Sequence, residues 1–126
     1  MKRHLSGWSD ATLAPVTRVG IDVIDVEQVA DALRTHGQAY LDHVFTTVEQ
    51  LQATGGSEAQ AHLALARRFA VKEAARKVIG TQTRWTEIEV AADGPGLRCA
   101  VGDRALHVST STANGRVVAV VAEDQP

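Results

Sequence analysis

Two acidic residues in this chain of 126 residues lie where a carboxylate could do chemistry: Asp22 and Glu73. Aspartate is depleted from strands, yet Asp22 sits among Val and Ile in the apolar run 19–26. Two carboxylates together with phosphate oxygens and waters are a usual way of holding Mg²⁺. A cation shared by the two residues is therefore one hypothesis. Two alternatives stay open: a solvent-facing strand position for Asp22, and a surface ion pair of Glu73 with Lys77.

Glu73 belongs to the longest helical stretch, 58–79. On a helical wheel the apolar residues of this stretch gather on one side. They are Leu63, Ala66, Ala70, Ala74 and Val78. The basic residues Arg68, Lys72 and Arg76 gather on the opposite side, and Glu73 lies at the border. The pattern predicts a helix with one face in the core and one basic face.

A third polar group lies near the C-terminus. Alternation along 106–112 places His107, Ser109 and Ser111 on one face of a strand. The hydroxyls of the two serines could bind phosphate. The alternative is that these residues form only a polar face of the sheet. The sequence contains no nucleophile elbow of the G-x-S-x-G kind, no P-loop and no G-x-G-x-x-G. A Ser-His-Asp hydrolase therefore has little support.

Local signals predict the first elements that must position these side chains. The run 19–26 is predicted to be a strand. Asp25 and Gln28 resemble a capping box, which would start a helix that continues through Leu33. Gly37 follows this helix as its closing residue. The strand thus passes directly into a helix.

The remaining elements change from helices to strands along the chain. Helices are predicted at 38–45, 48–53 and 58–79, the last between Ser57 as N-cap and Gly80 as its end. Strands are predicted at 87–91, 97–101, 106–112 and 117–122. Asn114-Gly115 predicts a tight hairpin between the last two strands, because both residues tolerate positive φ. This order predicts an α+β domain with an antiparallel sheet.

Composition limits the class of protein. With 44% hydrophobic and 22% charged residues, the chain is predicted to form one globular domain over 19–126, preceded by an extension, 1–18. A net charge of −2 and only five aromatic residues argue against nucleic acid binding. The single Cys99 cannot form an internal disulfide, and no apolar run approaches the ~20 residues that span a bilayer. We therefore expect a cytoplasmic protein that does not bind membranes.

The order of several motifs is more specific than any one of them. Gly20-Ile21-Asp22, R-F-A-V-K-E-A at 68–74, W-T-E-I-E-V at 85–90 and His107-Val108-Ser109 follow one another in that order. Together they resemble the holo-acyl-carrier-protein synthase family of 4′-phosphopantetheinyl transferases, over about 19–123. The resemblance implies the family's trimeric α+β fold with its long helix. It also implies Mg²⁺-dependent transfer of the phosphopantetheine arm of coenzyme A to a serine of an acyl carrier protein.

The resemblance also implies roles for individual residues. Asp22 and Glu73 would be the metal ligands, and Glu73, Lys77 and His107 the catalytic residues. The coenzyme A contacts would be Arg68, Lys72, Lys77, His107 and Ser109. His107 and Ser109 would line the same cleft as the carboxylates. The apolar run 117–122 predicts a strand covered on both faces, which agrees with the homotrimer that the resemblance implies.

Three positions depart from the family pattern. Thr112 stands where the family has a second His after H-V-S, and Gln28 stands where many members carry an Arg used for docking the carrier protein. The loop 93–96 lacks the family's Lys. With mainly Arg34 and His36 on the first helix, electrostatic capture of an acidic carrier is expected to be weak. The sequence thus indicates a diverged member of the family.

Three functions remain open at this point. The first is a transferase for the carrier protein of a fatty-acid-like or specialised polyketide pathway, which the carboxylate pair and Lys77 favour. The second is a transferase-like protein that has lost transfer and acts as a binding partner. The third is an enzyme that carries out different chemistry in the same cleft. Thr112 and Gln28 favour the second and third functions.

Overall fold

The computed structural model describes residues 18–124, which form five strands, four α-helices and one short 3₁₀ helix. The strands are β1 (Arg18–Asp25), β2 (Ile88–Asp93), β3 (Gly96–Val101), β4 (Arg104–Ala113) and β5 (Arg116–Glu123). The helices are α1 (Val26–His36), α2 (Gln38–Val44), α3 (Thr47–Ala53) and α4 (Glu58–Ile79), and the 3₁₀ helix covers Trp85–Glu87. The predicted extension lies outside the described residues, apart from Arg18, which opens β1. Among the helices of residues 18–124, none has the length and apolar character needed to cross a membrane.

The five strands form one antiparallel sheet in the order β1-β5-β4-β3-β2. The predicted α+β architecture with an antiparallel sheet is therefore confirmed. Asn114 and Gly115 connect β4 to β5 with φ of 53° and 74°, the positive values that a type I′ hairpin turn requires. Because β5 pairs with both β4 and β1, the first and last strands lie side by side.

Hydrogen bonds from side chains to nearby backbone set the start of the long helix. The Ser57 hydroxyl accepts from the Gln60 amide at 3.1 Å, and the Gln60 side chain accepts from the Ser57 amide at 2.8 Å. This capping box satisfies two amides that the helix leaves without partners. α4 then runs for 22 residues to Ile79. These are the bounds that the sequence predicts.

The predicted capping box at Asp25 is wrong. Asp25 is the N-cap of α1 by its backbone, but its side chain makes no cap hydrogen bond. Its carboxylate instead accepts from Arg116 Nε at 3.1 Å. Arg116 reaches it because the register of β1 and β5 places the two residues opposite each other. A contact across the sheet has replaced the local one.

The hydrophobic core lies between α4 and one face of the sheet, which we call the inner face. In β1 the residues that face α4 are Gly20, Asp22 and Ile24. Val19, Ile21 and Val23 lie on the opposite, outer face, where their relative exposures are 55%, 53% and 56%. The alternative of a solvent-facing Asp22 is therefore wrong, because Asp22 shares the inner face with Gly20 and Ile24.

The last strand shows the same division. Val117, Ala119 and Val121 of β5 are fully buried against the core. Val118 lies on the outer face and is exposed. The sequence predicts that both faces of β5 are covered by other parts of the protein. Within a single chain only the inner face of β5 is covered.

Gly20 allows β1 to lie directly against α4. A Cβ atom at this position would stand 2.1 Å from the Ala74 carbonyl oxygen and 3.2 Å from Val78 Cγ2. Backbone atoms of a helix cannot move aside as the end of a flexible side chain can. The close approach brings the next inner-face residue of β1, Asp22, to the side of α4 that carries Lys77.

We expect Gly20→Ala to destabilise the fold by ~1–3 kcal/mol, because the added methyl group must push β1 away from α4. The measurement is the midpoint of urea unfolding. Gly102→Ala is an instructive comparison, since no atom lies within 4 Å of a Cβ there but φ is +60°. The cost of Gly102→Ala is conformational, so this variant should bind coenzyme A like the wild type. Gly20→Ala should bind coenzyme A more weakly. Equal affinity of the wild type and Gly20→Ala for coenzyme A would contradict this account.

The predicted basic face of α4 is wrong. Lys72 is completely buried, and Arg68 is nearly so. Lys72 Nζ donates to the backbone oxygens of Val44, Trp85 and Ile88, each at 2.8 Å. It also forms an ion pair with Glu49 at 2.7 Å, in which both side chains are fully buried. The short helices α2 and α3 and the segment before β2 therefore cover a helix face that its composition marks as polar.

Candidate active site at the junction of β1 and α4

Lys77 near the end of α4 joins the helix to β1. Its Nζ donates to the backbone oxygen of Ile21 at 2.7 Å and lies 3.3 Å from Asp22 Oδ1. The Asp22 side chain is mostly buried, whereas that of Lys77 is half exposed. The ion pair expected between Glu73 and Lys77 is thus replaced by one between Asp22 and Lys77. Lys77 remains within reach of a ligand that approaches from solvent.

Glu73 lies one turn before Lys77 and is half-buried. Burial raises the pKa of Glu73 above its usual value, and the negative charge of Asp22 raises it further. Arg76 and Lys77 oppose this rise in pKa. The two carboxylates therefore act on each other electrostatically, although 50 residues of chain separate them. This supports the hypothesis that Asp22 is directed across the fold toward Glu73.

The two carboxylates at this junction suit a divalent cation whose other coordination positions are filled by phosphate oxygens and waters. Within residues 18–124, no group of three or more His, Cys, Asp or Glu side chains is arranged to hold a metal. Mg²⁺ typically takes one or two protein carboxylates and fills its other positions with phosphate oxygens and waters. Asp22 and Glu73 fit this use. They do not form a closed, all-protein metal cage.

Sequence reasoning missed Tyr40 of α2 as a member of this site. Burial raises the pKa of Tyr40 to about 12, and the nearby charge of Glu73 adds to the shift. Its ring packs edge-on against Phe45, with centroids 5.8 Å apart. The phenol therefore stays protonated at neutral pH and can donate a hydrogen bond beside Glu73. No spacing rule links residue 40 to residue 73, so the sequence offers no signal for the electrostatic influence of Glu73 on Tyr40.

His107 and Ser109 lie on the other side of the sheet. The register pairs Ser109 with Val120 and Val120 with Ile21, all on the outer face. His107 Nε2 lies 2.9 Å from Asp124 Oδ2, and both side chains are exposed. Within one chain, His107 and Ser109 therefore face away from Asp22, and the cleft that they are predicted to share with the two carboxylates would have to form between subunits. Adjacent strand positions point to opposite faces, and Asp22 takes the inner one.

Two further predicted contacts also change. Lys72 cannot contact coenzyme A, because its amine is enclosed by four oxygen partners in the core. Arg68 is buried too, and donates to the Ala64 carbonyl and to Gln52 Oε1, both at 3.1 Å. The junction therefore brings together Asp22, Glu73 and Lys77, and separates them from the other predicted residues.

Comparisons with known proteins identify relatives of this chain. The family model of the 4′-phosphopantetheinyl transferase superfamily matches residues 18–121. A holo-[acyl-carrier-protein] synthase of Chlamydia trachomatis is 31% identical over 114 residues, covering 81% of this chain and 94% of that protein. The corresponding enzyme of Paramagnetospirillum magneticum is 38% identical over 79 residues, covering 62% and 60%.

A solved structure shows the same fold. The holo-(acyl-carrier-protein) synthase from Bacillus anthracis, in complex with CoA (3′,5′-ADP), superposes with a TM-score of 0.73 at 26% identity. The match covers 85% of this chain and 96% of that one. The matched region contains β1 and α4, the two elements that bring Asp22, Glu73 and Lys77 together. The chain belongs to the 4′-phosphopantetheinyl transferase superfamily.

Proposed function

We propose that this protein transfers the 4′-phosphopantetheine arm of coenzyme A to a serine of an acyl carrier protein, with Mg²⁺ bound by Asp22 and Glu73. The observation that carries the proposal is the orientation of Asp22. This carboxylate faces α4 and lies beside Lys77 and Glu73, while its apolar neighbours in β1 face outward. Holo-acyl-carrier-protein synthases among its relatives support the same reaction.

The proposed reaction is a phosphoryl transfer. The carrier serine oxygen bonds to the phosphorus that bears the pantetheine arm, the bond to the leaving 3′,5′-ADP breaks, and the serine proton passes to water or a nearby base. A cation on Asp22 and Glu73 would neutralise the pyrophosphate charge and stabilise the leaving phosphate. Lys77 adds a half-exposed amine that can bind phosphate oxygen. Tyr40 offers a neutral hydrogen-bond donor beside Glu73.

We also propose a homotrimer whose subunits meet at the outer face of the sheet. Three rows cross this face from β1 through β5 to β4: Val19-Ala122-His107, Ile21-Val120-Ser109 and Val23-Val118-Ser111. Each row begins with an exposed apolar residue. Contact between copies would cover these residues and could bring His107 and Ser109 of one copy to the carboxylate pair of the next. The separation of the predicted site residues within one chain supports this arrangement.

The trimer is tested by the mass in solution. We expect light scattering at micromolar concentration to give three times the mass of one chain. Ile21→Lys should lower that mass, because it places a charge in the middle of the outer face. Leu51→Lys, at a residue of α3 that is 74% exposed, should leave the mass unchanged. A wild type that is monomeric under these conditions would contradict the assembly.

Thr112 bears on the rate of transfer. Alternation along β4 places Thr112 on the same face as Thr110. Thr110 is paired with Ala119 of β5, and Ala119 is paired with Asp22 of β1. We expect slow transfer by the wild type and a roughly tenfold faster rate in Thr112→His, short of the ~10²–10⁴-fold that a well-placed acid or base contributes. Coenzyme A affinity should stay the same. A faster Thr112→Ala variant would show that size, and not proton transfer, matters at this position.

Capture of the carrier protein is expected to be weak. Arg34 on α1 pairs with Glu27 at 2.5 Å and also with Asp31, so two carboxylates of the same helix offset its charge. Gln28 on this helix is neutral and exposed. α1 therefore presents little net positive charge to an acidic partner.

The function is tested by incubating the protein with coenzyme A, Mg²⁺ and a set of apo carrier proteins. Mass spectrometry of each carrier should show addition of the phosphopantetheine arm. Omission of Mg²⁺ and the Asp22→Ala variant serve as controls, and both should prevent the addition. If coenzyme A binds but the wild type, Thr112→His and Gln28→Arg modify no carrier, a binding or repurposed function replaces this proposal.

A further inference from the structure

The sheet ends at β2, the last strand in the order β1-β5-β4-β3-β2. The outer edge of such a strand presents backbone N–H and C=O groups that can pair with a strand of another chain. At the edge of β2 these groups belong to the alternate residues Ile88, Val90 and Ala92. One backbone group of each residue is bound by a side chain from a helix. Side chains therefore occupy the positions at which another strand would pair.

Two of these side chains come from α3. The Val90 amide donates to Glu49 Oε2 at 2.6 Å, and the Ala92 amide donates to Gln52 Oε1 at 2.8 Å. Glu49 and Gln52 are three residues apart, so they share one side of the helix. Val90 and Ala92 are two residues apart, so they share one edge of the strand. The acceptors of α3 thus match the donors of β2, and α3 lies where a sixth strand would pair.

Two cations of α4 hold these acceptors in place. Lys72 Nζ lies 2.7 Å from Glu49 Oε1, and Arg68 donates to Gln52 Oε1 at 3.1 Å. Both cations are buried. Each acceptor of α3 therefore binds a cation of α4 as well as an amide of β2. An acceptor whose position is already fixed loses little entropy in binding the amide.

A helix that covers a sheet edge is one way in which proteins prevent pairing between chains. We infer that α3 has this role: Glu49 and Gln52 prevent β2 from pairing with β2 of a second copy of this chain. Two identical edge strands can pair antiparallel about a twofold axis, so β2 is complementary to itself. Gln52 and Ala92 are exposed, whereas Glu49 and Val90 are fully buried. The Ala92 end of the edge is therefore the part that opens when its side-chain partner is lost.

The test uses Gln52→Ala, which removes the acceptor of the Ala92 amide and leaves the Glu49–Lys72 ion pair in place. Hydrogen exchange of the Ala92 amide should become ~2–10-fold faster, the usual effect of one neutral hydrogen bond. The mass by light scattering should rise with protein concentration. At high concentration we expect about twice the wild-type mass or more, because each new β2 pair joins two assemblies.

Gln50→Ala is the matched control, since it removes the same atoms from the same helix. The side-chain amide of Gln50 donates to the carbonyls of Leu41 and Phe45 rather than to β2. This variant should keep the wild-type mass and the wild-type exchange rate of the Ala92 amide. If Gln50→Ala associates as strongly as Gln52→Ala, a general loss of stability is the cause and the inference is overturned.

A second substitution locates the contact between copies. Ala92→Pro removes the amide that would donate to an added strand, so its addition to Gln52→Ala should restore the wild-type mass. Gln52→Glu keeps an acceptor for Ala92 and Arg68, and should behave like the wild type. Gln52→Ala with the wild-type mass overturns the inference, as does association that persists after Ala92→Pro. Circular dichroism confirms folding of each variant. Gln52→Met, which has a similar length and lacks the acceptor, decides the test if Gln52→Ala does not fold.

The role of α3 does not depend on the proposed transfer reaction. Gln52 and Ala92 lie outside the group formed by Asp22, Glu73 and Lys77. Association of Gln52→Ala through β2 supports the inference whether or not a carrier protein is modified. Unchanged mass in Gln52→Ala overturns it and leaves the transferase proposal standing.

Discussion

Lys72→Met should destabilise the fold by ~3–5 kcal/mol, because it leaves the carboxylate of Glu49 buried without its cation. Both side chains are fully buried, and the Lys72 amine also holds the backbone oxygens of Val44, Trp85 and Ile88. Burial lowers the pKa of Lys72, and the Glu49 carboxylate opposes that shift. A loss of this size is a large part of the ~5–15 kcal/mol that stabilises a typical domain. Thermal unfolding measures it.

Two comparisons make this prediction specific. Lys77→Met makes the same chemical change on the same helix at a half-exposed amine, and should change the unfolding temperature little. Glu49→Gln combined with Lys72→Met removes the buried charge. The side-chain oxygen of the introduced glutamine can still accept one of the two hydrogen bonds that the Glu49 carboxylate accepts from the backbone amides of Thr46 and Val90. The double variant should therefore be more stable than Lys72→Met alone. Similar losses in Lys72→Met and Lys77→Met would contradict the role of burial.

Glu73→Gln should abolish most transfer while slightly raising the stability of the fold. It removes one of the two carboxylates proposed to hold the cation, so we expect a loss of ~10²-fold or more in rate. Burial and Asp22 raise the pKa of Glu73 above its unfolded value, so ionisation of Glu73 costs stability as the pH rises. Removing that charge should stabilise the protein at neutral pH by less than about 1 kcal/mol, since the group is only half-buried.

The pH dependence provides a check on the cause. In acid, Glu73 carries its proton in both the folded and the unfolded protein, so the advantage of Glu73→Gln should vanish there. Unfolding curves at acidic and neutral pH measure the difference. Glu58→Gln, at an exposed position in the first turn of the same helix, should show no gain at neutral pH and normal transfer. A Glu73→Gln variant that is less stable than the wild type at neutral pH would contradict the account.

Local signals in the sequence were sufficient to predict the main helices and strands of this fold. Ser57, with Gln60 three residues later, marks the start of α4, and Asn114-Gly115 marks the last hairpin, as the structure confirms. Such signals succeed because a cap or a tight turn is made by residues close together in the chain. Asp25 shows the limit, because its carboxylate is taken by Arg116 from the far end of the sequence.

The sequence by itself also determined the two carboxylates and Lys77 as candidate site residues, since their types and motifs are local properties. Only the tertiary structure decided which faces are covered. It turned Asp22 inward, enclosed Lys72 and placed His107 on the opposite face of the sheet. Periodicity shows which residues share a face, but burial depends on what packs against that face. Here the decisive partners, Glu49 of α3 for Lys72 and Lys77 of α4 for Asp22, lie more than 20 residues away in the sequence, where no local pattern can report them.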